Sequence, residues 1–177
     1  LMGPDKVRSD LVPFLQEIVD ARTERDQVVF AMARSLAIVG AATGGGDHLA
    51  VLIPTIERLC RHEETAVRDM IAKSTNEMLS NNSVGGDAAA QFCNMITRLV
   101  NPDEGDSDGM FYPCYTAGKI IVQITAKGNS TQQADLVQHF SALCRHEVLL
   151  VRHSAVLNIV NFARVMTSSH DAVFGIL

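Results

Sequence analysis

The sequence predicts an all-α protein, a right-handed superhelical α-α solenoid in which helical hairpins stack on one another. Three observations lead there. The pentad Leu59-Cys-Arg-His-Glu63, followed by Val67-Arg68, returns as Leu143-Cys-Arg-His-Glu147 and Val151-Arg152, at the same offset of 143 − 59 = 84 and 151 − 67 = 84. Repetition at a fixed spacing is the signature of a repeat architecture, and it has to be read before any catalytic motif. Apolar residues recur at i, i+3, i+4 and i+7, the period of a helix with one buried face. With no tryptophan, five prolines and many Ala, Leu, Ile and Met in 177 residues, the composition favours helices over sheets.

Taken in order, residues 1–4 read as the tail of an earlier helix. Ser9 is placed to cap the next one, whose face is Leu11, Phe14, Leu15, Ile18 and Val19, with Pro13 near its first turn. A polar turn at 20–26 precedes a second helix reaching residue 42, with Val28, Met32, Leu36 and Val39 as its apolar row. Gly44-Gly45-Gly46 ends this hairpin. No Gly-Lys-Ser/Thr follows and no strand precedes, so the glycines read as a connection rather than a phosphate cradle.

A third helix has the face Leu49, Leu52, Ile53, Ile56, Leu59 and Cys60, and its Leu52-Ile53-Pro54 matches Leu11-Val12-Pro13 at an offset of 41. A turn at 61–65 leads to a fourth helix with Val67, Met70, Ile71, Ser74 and Met78. After an Asn/Ser/Gly-rich connection, Asp87 is placed to cap a fifth helix carrying Phe92, Met95, Ile96, Leu99 and Val100. An acidic turn at 101–109 precedes the sixth, with Pro113 in its first turn. Helix seven carries Leu136, Val137, Phe140, Leu143 and Cys144, and helix eight, at 148–166, has the row Val151, Ala155, Ile159 and Phe162.

These elements make a single array of four units, at about 6–43, 46–80, 86–126 and 131–167. The end of one further unit lies at 1–4 and the start of another at 170–177. A period of about 40 residues with two helices each is the arithmetic of a HEAT array. Without an initial Met, and with an apolar pattern starting at its end, the sequence reads as a fragment.

Composition narrows the function. A formal charge of −5 disfavours nucleic acid, whose binders carry a basic stripe. No run of apolar residues is long enough for a membrane span and no basic start precedes an apolar run, so the expected setting is cytoplasmic or nuclear. Cys60, Cys93, Cys114 and Cys144 form no Cys-x-x-Cys pair and read as buried apolar residues in a reducing compartment. His62-Glu63 and His146-Glu147 lack the spacing of a zinc site. No metal, cofactor or catalytic residue is expected, and no nucleophile elbow or P-loop is present. Ten of the twenty acids, Asp20, Glu24, Asp26, Glu63, Glu64, Asp103, Glu104, Asp106, Asp108 and Glu147, lie in or beside the four intra-repeat turns. Such an edge attracts a basic protein surface, though for any single acid a solvated turn is the simpler reading. Arg68 and Arg152, at equivalent places, read as a ladder bonding to carboxylates or carbonyls of adjacent turns.

Ser9-Asp-Leu-Val-Pro-Phe-Leu15, Leu52-Ile-Pro-Thr-Ile-Glu-Arg-Leu59, Glu63-Glu-Thr-Ala-Val-Arg-Asp69 and Val151-Arg152, in this order and phase, resemble the N-terminal HEAT repeats of the scaffold (A) subunits of protein phosphatase 2A. The resemblance implies a non-enzymatic platform whose ridge of intra-repeat turns binds a regulatory (B-type) subunit. The catalytic subunit would dock only on repeats beyond this chain. It implies a regulatory contact at Glu63, Glu64 and Arg68, with Arg152 as a second ridge arginine. The acidic turns add Asp26 and Glu147 to this set, and Leu149 belongs to the same ridge. The family's Pro-x-Val-Arg-Arg is here Leu149-Leu-Val-Arg-His153, and Cys114 stands where an arginine is expected. The other reading is a different HEAT interaction module, for example one like a transport receptor.

Overall fold

The computed structural model describes residues 2–21, 25–101 and 111–166, and among them helices dominate and no strand occurs. The expected further unit at 170–177 and most of the 101–109 turn lie outside the described residues. The chain enters a helix at Pro4 rather than leaving one. α1 (Pro4–Lys6) has proline in its first turn behind an extended Gly3, the place where a fixed φ and a missing N–H are tolerated. It passes through a π-helical turn, Val7–Leu11, into α2 (Val12–Ala21). Ser9 therefore caps nothing; it lies inside the π turn, and its hydroxyl donates to Asp10 Oδ1 at 2.6 Å. The widened turn sits just before Pro13, whose ring would collide with the carbonyl four residues earlier in a regular helix. Val7, Val12 and Val19 form the buried row, while Phe14, expected in the core, is 56% exposed.

The remaining helices are α3 (Asp26–Ala42), α4 (Ile53–Cys60), α5 (Thr65–Asn81), α6 (Gly86–Val100), α7 (Phe111–Thr125), α8 (Ser130–Cys144), α9 (Leu149–Val156) and α10 (Ile159–Val165). A 3-10 turn, Gly46–Leu52, leads into α4. First helices pack on first helices, α2 on α4, α4 on α6 and α6 on α8. Second helices pack on second helices, α3 on α5, α5 on α7 and α7 on α9. This two-layer stacking of hairpins is the expected helical-repeat solenoid, and one continuous core runs through it.

Rows read from the period are buried where a helix has neighbours on both sides. Leu49, Leu52, Ile53, Ile56, Leu59 and Cys60 are all 4% exposed or less. In α3 the buried row is instead Val29, Ala33, Leu36 and Gly40, which keeps Leu36 but replaces Val28, Met32 and Val39 by the residues that follow them. The physical reason is Gly40: a Cβ there would lie 2.6 Å from Met78 Cγ and Sδ, so the glycine leaves the room that the Met78 side chain of α5 fills. The helix expected at 148–166 is broken into α9 and α10 where Asn158 Nδ2 donates to the carbonyls of Ser154 (3.0 Å) and Gly118 (3.2 Å). On its other side α7 receives Asn76 Nδ2 at the carbonyl of Lys119, 3.0 Å away, so side-chain amides clasp it from both neighbours.

The edge opposite the intra-repeat turns is stapled from hairpin to hairpin. Gly44, Gly45 and Gly46 take φ of 100°, 66° and 59°, a conformation that favours glycine. The Gly46 N–H donates to the Ser83 carbonyl at 2.9 Å. Asp87 does not cap α6 with its own side chain. The carboxylate comes from Asp47 in the preceding connection, whose Oδ1 accepts from the N–H groups of Asp87 (3.1 Å) and Ala88 (3.0 Å). Asp47→Ala should lower stability by about 1 kcal/mol, the usual worth of an N-cap. Amide exchange at Asp87 and Ala88 should quicken first; equal protection in both proteins would count against the cap.

Candidate functional site

The two identical pentads fold into two identical clasps. In the turn between α4 and α5, His62 Nδ1 accepts the Glu64 N–H at 3.1 Å. Arg68 Nη1 donates to the carbonyls of His62 (2.5 Å) and Glu63 (2.6 Å). Between α8 and α9, His146 Nδ1 accepts the Val148 N–H at 3.1 Å, and Arg152 Nη1 donates to the carbonyls of His146 (2.6 Å) and Glu147 (2.7 Å). Leu59 and Leu143 are fully buried beneath these turns. Chain leaving a helix carries carbonyls with no intrahelical donor, and the arginine at the start of the next helix satisfies them. Each imidazole accepts at Nδ1 and so carries its proton on Nε2. His62 Nε2 lies 3.8 Å from Asp26 Oδ1, which links the first turn to the second.

The expected arginine ladder is thus built on the carbonyls of each arginine's own turn. Arg68 is only 3% exposed. Its Nη2 also donates to Thr65 Oγ1 at 2.8 Å, and its guanidinium stacks 4.2 Å from the Tyr112 ring centroid. Burial lowers its pKa, and the Tyr112 and Tyr115 rings work against that shift. Arg68 therefore positions the turn and offers no outward charge, while Arg152 is half-buried. Glu63, Glu64, Glu147, Asp26 and Leu149 are exposed along the edge, and the carboxylates of Glu63, Glu64 and Glu147 form no ion pair among the described residues. Glu24, Asp103, Glu104, Asp106 and Asp108 lie outside the described residues.

Sequence reasoning missed the groups that brace this edge from neighbouring repeats. Asp69 Oδ1 accepts from Lys119 Nζ (2.7 Å) and Tyr115 OH (2.9 Å), joining α5 to α7. Burial pulls the Lys119 ammonium down, yet the hydrogen bonds to Asp69 and Tyr115 outweigh it and the net shift is upward. In the first layer, Glu57 takes a forked pair of bonds from Arg98, with Nη2 at 2.8 Å and Nε at 3.1 Å, and Asp20 lies 3.5 Å from Arg58. No periodicity links such partners, which lie about one repeat apart.

The thiols are poorly suited to act as nucleophiles. Burial pushes Cys60 far up and Cys93 to about 11, with Cys114 and Cys144 also raised. Among the described residues no group of three His, Cys, Asp or Glu could hold a metal ion, and no helix is long and apolar enough to cross a membrane. Braced turns carrying outward carboxylates are suited to meeting a basic protein surface.

No protein-family model matches the chain. It is similar to the beta isoform of the 65 kDa regulatory A-type subunit of serine/threonine-protein phosphatase 2A from Rattus norvegicus, 28% identical over 169 residues, 93% of this chain and 26% of that protein. The phosphatase PP2A 65 kDa regulatory subunit of Drosophila melanogaster is 28% identical over 173 residues, 96% of this chain and 27% of that protein. The protein phosphatase PP2A regulatory A-type subunit of Schizosaccharomyces pombe is 29% identical over 173 residues, 94% of this chain and 27% of that protein. The similarity runs through nearly the whole chain, which spans about a quarter of the length of these relatives.

Proposed function

We propose that this chain, a HEAT array related along nearly its whole length to the regulatory A-type subunits of protein phosphatase 2A, is a non-catalytic platform for a regulatory (B-type) subunit. The single observation that carries this reading is the pair of equivalent turns, which hold Glu63, Glu64 and Glu147 outward on a rigid edge. Asp26, Leu149 and Arg152 extend the contact, and Arg68 acts by shaping the turn beneath it. Catalytic-subunit docking is assigned to repeats beyond this chain, and a cytoplasmic or nuclear setting belongs to the same reading.

Exposed charges attract over roughly a Debye length, about 8 Å at physiological salt, so the complex should weaken as salt rises. Glu63→Lys/Glu64→Lys should reduce the affinity for the regulatory subunit roughly tenfold or more at 0.15 M salt and flatten its salt dependence. Isothermal titration checks both, and an unchanged affinity rejects the site. Tight binding of the isolated catalytic subunit would contradict the division of labour.

A further inference from the structure

The two intra-repeat turns that lie wholly among the described residues, 61–64 and 145–148, are closed in the same way. A side-chain acceptor at i bonded to the backbone N–H of i+2 is the geometry of an Asx turn, which Asn or Asp ordinarily supplies. Here an imidazole supplies it in both turns, His62 Nδ1 to the Glu64 N–H and His146 Nδ1 to the Val148 N–H, each at 3.1 Å. The same two residues are gripped at their carbonyls by Arg68 and Arg152. Each histidine is therefore held at both ends, and the loop that its ring closes contains Glu63 or Glu147.

We propose that His62 and His146 are positioning residues that make this edge sensitive to protons: the neutral imidazoles hold Glu63, Glu64 and Glu147 in place, and protonation releases them. A backbone N–H can only donate, so Nδ1 must keep its lone pair for the bond to exist. An imidazolium carries hydrogen on both nitrogens, which sets N–H against N–H. An Asn in the same role has no such dependence, whereas histidine is the side chain whose charge changes between about pH 5 and 8. Charges of both signs face each ring. Asp26 of α3 lies 3.8 Å from His62 Nε2, with Glu63 and Glu64 in the same turn, and Arg61 and Arg68 stand against them. At the second turn Glu147 is set against Arg145 and Arg152. These pull in opposite directions, whereas the added proton breaks the Nδ1 bond in both turns. It also adds positive charge to the edge, which lowers its attraction for a basic protein surface.

The first arm of the test needs no partner: amide exchange in the whole chain, expressed as protection factors so that the intrinsic effect of pH cancels. From about pH 7.5 to about pH 5.5, protection at Glu64 and Val148 should fall roughly three- to tenfold, the factor for one hydrogen bond of ordinary net worth. Protection at Ile71 and Ala155, both fully buried, should stay constant. His62→Asn/His146→Asn puts an acceptor where Nδ1 stood, so protection should be kept and lose its pH dependence. His62→Gln/His146→Gln carries the polar atoms one bond further out and should show low protection at both pH values. A wild-type chain whose turns do not respond to pH, an Asn variant that responds as wild type does, or a Gln variant that keeps its protection would overturn the proposal. The second arm rests on the regulatory-subunit reading above. Affinity should fall over the same pH range by more in the wild-type chain than in the Asn variant, and equal falls would overturn the histidines' part in assembly. No binding even at the upper pH would reject the platform reading, and the exchange result would still decide this one.

Discussion

Replacing Arg68 by alanine is expected to lower the stability of the chain by about 2–4 kcal/mol, because neutral turn groups lose their buried donor and a cation–π contact between repeats is lost. The guanidinium is 3% exposed and holds two turn carbonyls and the Thr65 hydroxyl. It also stacks on Tyr112, which belongs to the next repeat. Its loss strands polar groups and removes a contact between repeats. Arg152 makes the same two carbonyl bonds but is half-buried, so Arg152→Ala should cost less, about 1–2 kcal/mol. Arg68→Lys keeps the charge but loses the fork, and should fall between wild type and alanine. Urea denaturation followed by circular dichroism measures the order. Equal losses for Arg68→Ala and Arg152→Ala would mean that burial and the Tyr112 stack add nothing.

Gly118→Ala is the second large effect. In the middle of an exposed helix such a change gains about 1 kcal/mol. Here the new Cβ would lie 2.4 Å from Ser154 Oγ, 3.2 Å from the Ala155 nitrogen and 3.3 Å from the Ser154 carbonyl carbon. The hydroxyl can rotate away, but the backbone of α9 must move. A net loss of about 1–3 kcal/mol is expected, as for other overpacked contacts, with α9 losing exchange protection before α5. Adding Ser154→Ala should recover part of it. At Gly40 the obstructing atoms are Cγ and Sδ of the fully buried Met78, a side chain that can repack without moving backbone, so Gly40→Ala should cost less than Gly118→Ala, about 0.5–1.5 kcal/mol. If both substitutions behave alike, the close approach of α7 and α9 is not the cause.

Much of the fold was legible because repetition and period are local signals. The duplicated pentad announced the array, and the row from Leu49 to Cys60 marked a helix face that its neighbours do bury. Three of the misses share one cause, a partner from another hairpin, whereas Ser9 was lost to a local one, the π turn before Pro13. Asp87 met the local rule for a cap, yet Asp47, 40 residues earlier, supplies the carboxylate. The face of α3 is set by where Gly40 meets Met78, which no hydrophobic count of α3 contains. At the candidate edge, the placement of Glu63, Glu64 and Glu147 on turns was readable from sequence. The inward turn of Arg68 was not, because it depends on Tyr112, a residue 44 positions on, beyond the acidic stretch. The pentad that first suggests a Cys/His/Glu site is a helix end, a thiol buried at Cys60 but only half-buried at Cys144, and a clasped turn.

The most direct measurement is hydrogen exchange on the chain with and without a regulatory subunit. Protection is expected at 61–64 and 145–148, together with the start of α9, where the clasped turns present Glu63, Glu64, Glu147 and Leu149. Protection confined to the opposite edge, at 43–47, 82–85 and 128–130, would contradict assembly through the intra-repeat turns.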